Sequence, residues 1–258
     1  RSTLFPYTTL FRSPYRLRLL KGKLLLNGNL GWQEDNLYQQ KLATSKRFIG
    51  NANVNYNPSQ VFGVNFNYTN FGITQNPLRI SPTDEIFKQV STSYSLVPYL
   101  NFMNGNTVKN IQLVSSLQSL SSPTQTINTS PDQHTLFGTL IYSQTWLKRQ
   151  VSVNASVNYN NTHLDAGNIG SYGAGVGASL PFFKNKLAFT TNATYNSNTF
   201  NSVSNGYTLN ADAGIRFRLI RQNTVQLLFN YLKNESKDQT VVQTFDEKTF
   251  RIGYGISF

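Results

Sequence analysis

In Lys248–Phe258 every second side chain is apolar. Phe250, Ile252, Tyr254, Ile256 and Phe258 fall on one parity, and Thr249, Arg251, Gly253, Gly255 and Ser257 on the other. A β-strand sends successive side chains to opposite faces, so this segment carries one greasy face and one wet face. The same period recurs throughout the chain. Leu24, Leu26, Leu30 and Trp32 alternate with Asn27 and Asn29. Val151, Val153, Ala155, Val157 and Tyr159 alternate with Ser152, Asn154, Ser156 and Asn158. Tyr207 through Leu219 alternates with Thr208, Asn210, Asp212, Gly214, Arg216 and Arg218. A helical period appears nowhere in this pattern.

Thirteen such runs follow one another from Tyr15 to the end, and their connections alternate in length. One set is short: 21–22, 58–60, 105–106, 148–149, 184–185 and 221–223. The other is long: 34–46, 73–88, 121–133, 164–170, 197–205 and 233–246. The run at 90–103 contains Pro98, which has no N–H for a ladder and predicts a bulge or a break there.

Composition decides what solvent such strands face. The 258 residues include no Cys and 13% charged residues, with a formal charge of +12. Without Cys there is neither a disulfide scaffold nor a thiolate metal site. No apolar run approaches the ~20 residues of a membrane-spanning helix. A membrane protein of this composition is therefore a closed barrel, the other structure that satisfies every backbone group in lipid. The basic residues are scattered along the sequence without a helix-turn-helix, zinc-finger or RNP-like pattern, so no nucleic-acid partner is expected.

Short turns on one side, long loops on the other and a terminal strand ending on Phe258 resemble the outer-membrane β-barrels of Gram-negative bacteria. The resemblance implies an all-β fold, an antiparallel up-and-down transmembrane barrel with 12–14 strands visible in this chain. It implies an outer-membrane location, with the lipid bilayer and lipopolysaccharide as surroundings. It also makes Phe250, Ile252, Tyr254, Ile256 and Phe258 the signal read by the barrel-insertion machinery. Charge placement agrees. Ten of eleven acidic residues lie in or beside the long connections: Glu34, Asp35, Asp84, Glu85, Asp132, Asp165, Glu235, Asp238, Asp246 and Glu247. Trp32, Tyr68, Tyr159, Tyr172, Tyr195, Tyr207 and Tyr231 lie on the apolar parity near the same ends, where an interfacial aromatic girdle belongs. The rival is a soluble β-sandwich or extended adhesin. Its outer face would carry Lys and Glu, whereas the polar parity here is Asn, Ser, Thr, Gln and Gly.

Arg1–Ser13 (RSTLFPYTTLFRS) lacks the charged n-region, apolar h-region and cleavage site of a signal peptide. It resembles a translated sequencing adapter and is expected to lie outside the fold. The barrel domain is then 14–258. Single-chain bacterial barrels usually have an even strand number, so strands are expected upstream of this one.

Two constellations could carry chemistry. A two-residue turn at Lys148-Arg149 sets His134 opposite His163 and Asp132 opposite Asp165. Two imidazoles and two carboxylates at that spacing suit a divalent metal; ordinary rim residues on the outward face give the same pattern. Arg16, Arg18, Arg216, Arg218 and Arg251, with Asp212, fall on the polar parity, where rings of Arg favour anions. Bracing against Asp212 or against a plug is the other reading. The glycines of Gly170–Gly177 lack the Lys-Ser/Thr ending of a phosphate loop and relieve crowding instead. No nucleophile–base pair stands out, and neither an enzyme activity nor a cofactor is expected. The expected function is a pore or transporter for small solutes. The alternatives are the barrel portion of a TonB-dependent receptor, a non-conducting adhesin or scaffold, and a rim-site hydrolase.

Overall fold

A computed structural model describes residues 7–37, 43–77, 87–122, 132–165, 167–183, 186–220, 223–237 and 242–256. Thirteen strands are present: β1 (Tyr7–Leu19), β2 (Leu24–Leu37), β3 (Ala43–Tyr56), β4 (Phe62–Pro77), β5 (Phe87–Asn104), β6 (Thr107–Ser121), β7 (Gln133–Trp146), β8 (Val151–Leu164), β9 (Gly167–Phe182), β10 (Leu187–Phe200), β11 (Val203–Ile220), β12 (Asn223–Lys237) and β13 (Val242–Ile256). They form one antiparallel sheet in strict sequence order, the up-and-down arrangement expected from the alternation. Among the described residues the one helical piece is a single 3-10 turn, Leu20–Gly22. The chain divides into two units. One is Arg1–Pro98, Ser115–Leu136 and Thr162–Ala166; the other is Tyr99–Val114, Phe137–Asn161 and Gly167–Phe258.

In the first unit the ladders keep the two parities apart. Leu17, Leu26, Val54 and Phe66 form one cross-strand row, and Arg16, Asn27, Asn53 and Asn67 form the row beside it. The second unit repeats the scheme. Leu180, Phe189, Ile215, Leu227 and Ile252 line up, and three positions along the strands so do Gly177, Asn192, Asp212, Asn230 and Thr249. A one-residue slip anywhere would exchange the rows, so the pattern itself pins the register.

Among the described residues no apolar side chain is buried. Leu17, Val176 and Ile252 are 53%, 60% and 70% exposed. A soluble sandwich would bury that face against a second sheet. Here the apolar parity is left exposed.

Three expectations change. The connections 164–170 and 197–205 are mostly strand: β8 ends at Leu164 and β9 begins at Gly167, while β10 ends at Phe200 and β11 begins at Val203. Asn201 and Ser202, at φ of 49° and 67°, make a two-residue hairpin turn, of the kind whose twist matches that of the strands. Alternation fades before the ladder does, because backbone pairing needs no two-faced side chains once register is set. Second, β5 runs unbroken through Pro98. Third, β1 begins inside the leader, so Tyr7–Ser13 pair in backbone register with Leu30–Asn36.

Candidate functional site

The polar face is built from short amides packed around glycine. On β9, Gly173, Gly175 and Gly177 take the positions between Asn154, Ser156 and Asn158 of β8 and Asn192, Thr194 and Asn196 of β10. A Cβ on Gly173 would meet the Asn196 amide and the Tyr195 carbonyl; one on Gly177 would lie 2.7 Å from Asn154 Oδ1. The vacant volume is used. Asn158 Nδ2 donates to Asn196 Oδ1 at 2.7 Å, reaching from β8 to β10 across the intervening strand.

Further bonds extend this lattice. Asn198 Nδ2 donates to Thr208 Oγ1 at 3.3 Å, and Thr208 Oγ1 donates to Asn234 Oδ1 at 3.1 Å. Asn230 Nδ2 donates to Asn210 Oδ1 at 3.0 Å. In the same unit Asn110 Nδ2 donates to Asn101 Oδ1 at 2.6 Å. In the first unit Asn53 Nδ2 donates to Asn65 Oδ1 at 3.0 Å. Asn disfavours strands because its amide competes with the backbone. Paired side chain to side chain, the amides leave the ladder intact and offset that cost.

The charged residues of this face take definite places. Asp212 accepts from Asn192 Nδ2 at 3.5 Å. Arg216 and Arg218 lie four and six positions farther along β11, roughly 13 and 20 Å at ~3.3 Å per residue, beyond ion-pair reach of Asp212. Bracing by Asp212 therefore does not account for them. Arg251 pairs with Leu228, which pairs with Gly214, one polar-face step from Arg216. Arg216, Arg218 and Arg251 thus share one stretch of polar face, and all three are exposed. Arg16 and Arg18 stand exposed in the first unit, opposite Asn27 and Leu25.

The aromatic positions group on the apolar face. In the first unit Trp32 pairs with Phe48, and the rings of Tyr68 and Tyr94 lie 5.1 Å apart. In the second, Tyr195 and Tyr207 stack at 5.7 Å, and Tyr172 pairs with the buried Ser197, which also pairs with Tyr207. Tyr159 and Tyr172 are exposed. Lys233 Nζ sits 5.6 Å from the centre of the Tyr207 ring, and Lys248 Nζ 5.8 Å from that of Tyr231. On β12 the same parity reads Val225, Leu227, Phe229, Tyr231 and then Lys233, Glu235, Lys237. The greasy band ends where tyrosine meets lysine. Lys237 Nζ and Glu235 Oε1 are 3.5 Å apart just beyond it. Sequence inspection missed the two lysines, although their parity on β12 and β13 was the available signal.

The terminal strand pairs Phe250, Ile252 and Tyr254 with Phe229, Leu227 and Val225. Ile256 pairs with Asn223 through the backbone, and Phe258 lies outside the described residues. The acid–imidazole quartet is not assembled. Thr135 Oγ1 and Thr162 Oγ1 are hydrogen bonded at 3.1 Å, which fits the register that sets His134 opposite His163. Yet among the described residues no three His, Cys, Asp or Glu side chains come together as a metal set. Asp132, His134, His163 and Asp165 are all exposed. Compared with known proteins, the chain matches no family model, no curated protein and no solved structure.

Proposed function

We propose that this chain forms the wall of a bacterial outer-membrane β-barrel whose hydrated polar face passes small solutes. The reading rests on one observation: an exposed apolar band, bounded by tyrosine and lysine, backs a polar face on which asparagine amides bond to one another at several points. Lipid suits the first surface and water the second. The arginines at 216, 218 and 251 lie on the wet side, and among the described residues of β10 to β13 no carboxylate stands at their level, an arrangement that favours anion passage. No chemical step is assigned to the chain. In this reading β13 is the strand that the insertion machinery engages, and lipopolysaccharide surrounds the tyrosine–lysine margin.

Planar-bilayer recordings test both halves. Step conductance with a reversal potential on the anion side is expected, and the double variant R216Q/R251Q moves it toward neutrality. Inserted protein that never conducts would leave a closed scaffold in place of a pore. Cation preference would overturn the role of the arginines.

A further inference from the structure

Three of the short connections share a composition that the pore reading does not use. Leu20, Leu147 and Phe183 stand at their apices, exposed to 60%, 44% and 75%. Lys21 and Lys23 follow the first, Lys148 and Arg149 the second, and Lys186 the third. None of the chain's eleven acidic residues falls at 21–22, 58–60, 105–106, 148–149, 184–185 or 221–223, and Asp165 of the short β8–β9 connection lies at the opposite strand ends. Cations scattered along the sequence are therefore gathered by the topology onto the short-turn ends of the strands.

At one of these turns the gathering forms a cleft. Leu147 N donates to Asn106 O at 2.7 Å, tying the β7–β8 turn to the Gly105-Asn106 turn of β5–β6. Between them lies a cavity of about 570 Å³ lined by Asn106, Trp146, Lys148, Arg149 and Val151. Trp146 is the last apolar-face position of β7, and Val151 the first of β8. The floor thus continues the greasy band, while the rim carries two adjacent exposed cations and an amide. The nearest acidic residues of this hairpin, Asp132 and Asp165, are at its far end.

We infer that this cleft docks an anionic phospholipid headgroup from the leaflet on the short-turn side. The Arg149 guanidinium can fork onto a phosphodiester, and the Lys148 ammonium adds a point charge beside it. Trp146 suits the glycerol level, where an amphipathic ring prefers the boundary between acyl chains and water. A free phosphate would use the rim and leave the apolar floor wet, so the lipid is the better occupant. Basic residues beside an apolar surface bind anionic membranes by the same combination of forces.

The inference rests on the bilayer-spanning reading, and one experiment separates the two. The chain is folded into vesicles of phosphatidylcholine containing a minor fraction of phosphatidylglycerol. Insertion is read by heat-modifiable electrophoretic mobility, and lipid preference by electron spin resonance with spin-labelled phosphatidylglycerol and phosphatidylcholine. Selection for phosphatidylglycerol is expected, with about fivefold enrichment for each cation. K148Q/R149Q is expected to insert normally and lose that preference, K148E/R149E to invert it, and inorganic phosphate to leave it unchanged. Equal association of both lipids with the inserted native chain would overturn the inference alone. So would a preference that survives K148Q/R149Q or disappears in phosphate. Failure to insert at all would overturn the spanning reading and the inference together.

Discussion

Gly28 and Gly173 both lack a Cβ in the middle of a strand, and the sheet fills the two gaps in opposite ways. Gly28 lies on the apolar face of β2 and is buried under the ring of Tyr15, its cross-strand partner. Gly173 lies on the polar face of β9, and its gap is taken by the Asn196 amide, which the Asn158 amide meets from the other side. A ring caps the gap on one face and an amide bridge caps it on the other. Each face thus fills its gap with its own chemistry, an aromatic ring on the apolar side and an amide pair on the polar side.

The most forceful way to break that comparison is to put one charge on each face of β9. Val176 projects from the greasy side, with Gly175 and Gly177 on either side of it in the sequence. Val176→Arg is expected to destabilise the inserted protein by about 2–4 kcal/mol, the cost of a cation in the apolar mid-depth of a bilayer. Ser179→Arg, on the wet side of the same strand, is expected to cost less than about 0.5 kcal/mol. Urea titration of both variants in vesicles gives the difference. Equal costs would mean that the outward face meets water.

A smaller effect sharpens the contrast between the glycines. At Gly173 an added methyl meets a backbone carbonyl, which cannot swing away, and Gly173→Ala is expected to cost about 1–3 kcal/mol. At Gly28 the methyl meets the far end of the Tyr15 side chain, which can rotate. The strand-propensity gain of Ala then offsets part of the displacement, and Gly28→Ala is expected to stay within about 1 kcal/mol of the parent. Reversal of that order in the same titration would contradict the structure.

The smallest effect isolates the bridge. Asn158→Ala and Asn196→Ala, alone and together, are expected to show a coupling of about 0.5–1.5 kcal/mol, although their strands are not neighbours in the sheet. Simple additivity would reduce the bridge to a chance approach of two solvated amides.

Much of this architecture was legible in the sequence. The strand number, the parity of Leu17, Phe189 or Ile252, and the turns near Gly22 and Gly105 all follow from a two-residue period and turn chemistry, which are local properties. The amide bridge was not, because it joins residues on alternate strands and depends on the glycine between them. The full length of β8 to β11 was hidden for another reason: polar residues on both faces carry no parity, yet their backbones still pair. The charge on the short turns was present residue by residue, and only an up-and-down topology shows that Lys21, Lys148 and Lys186 fall on turns of the same kind. The imidazole pair shows the converse. Its register was readable from the Lys148-Arg149 turn, but opposition across a hairpin does not bring exposed carboxylates into a ligand set.

The hairpin closed by Asn201 and Ser202 constrains how this part of the chain can change length. Two residues added symmetrically, one to each strand, lengthen the ribbon and leave every face as it was. A single added residue would turn one strand over, unless the ladder sheds it. β10 and β11 show such a shedding point, a register shift at Asn198/Thr199 that leaves Asn205 without an opposite number beside Gly206 at φ +116°. Among homologues of this chain, insertions here should arrive in pairs, and an odd one should bring its own bulge.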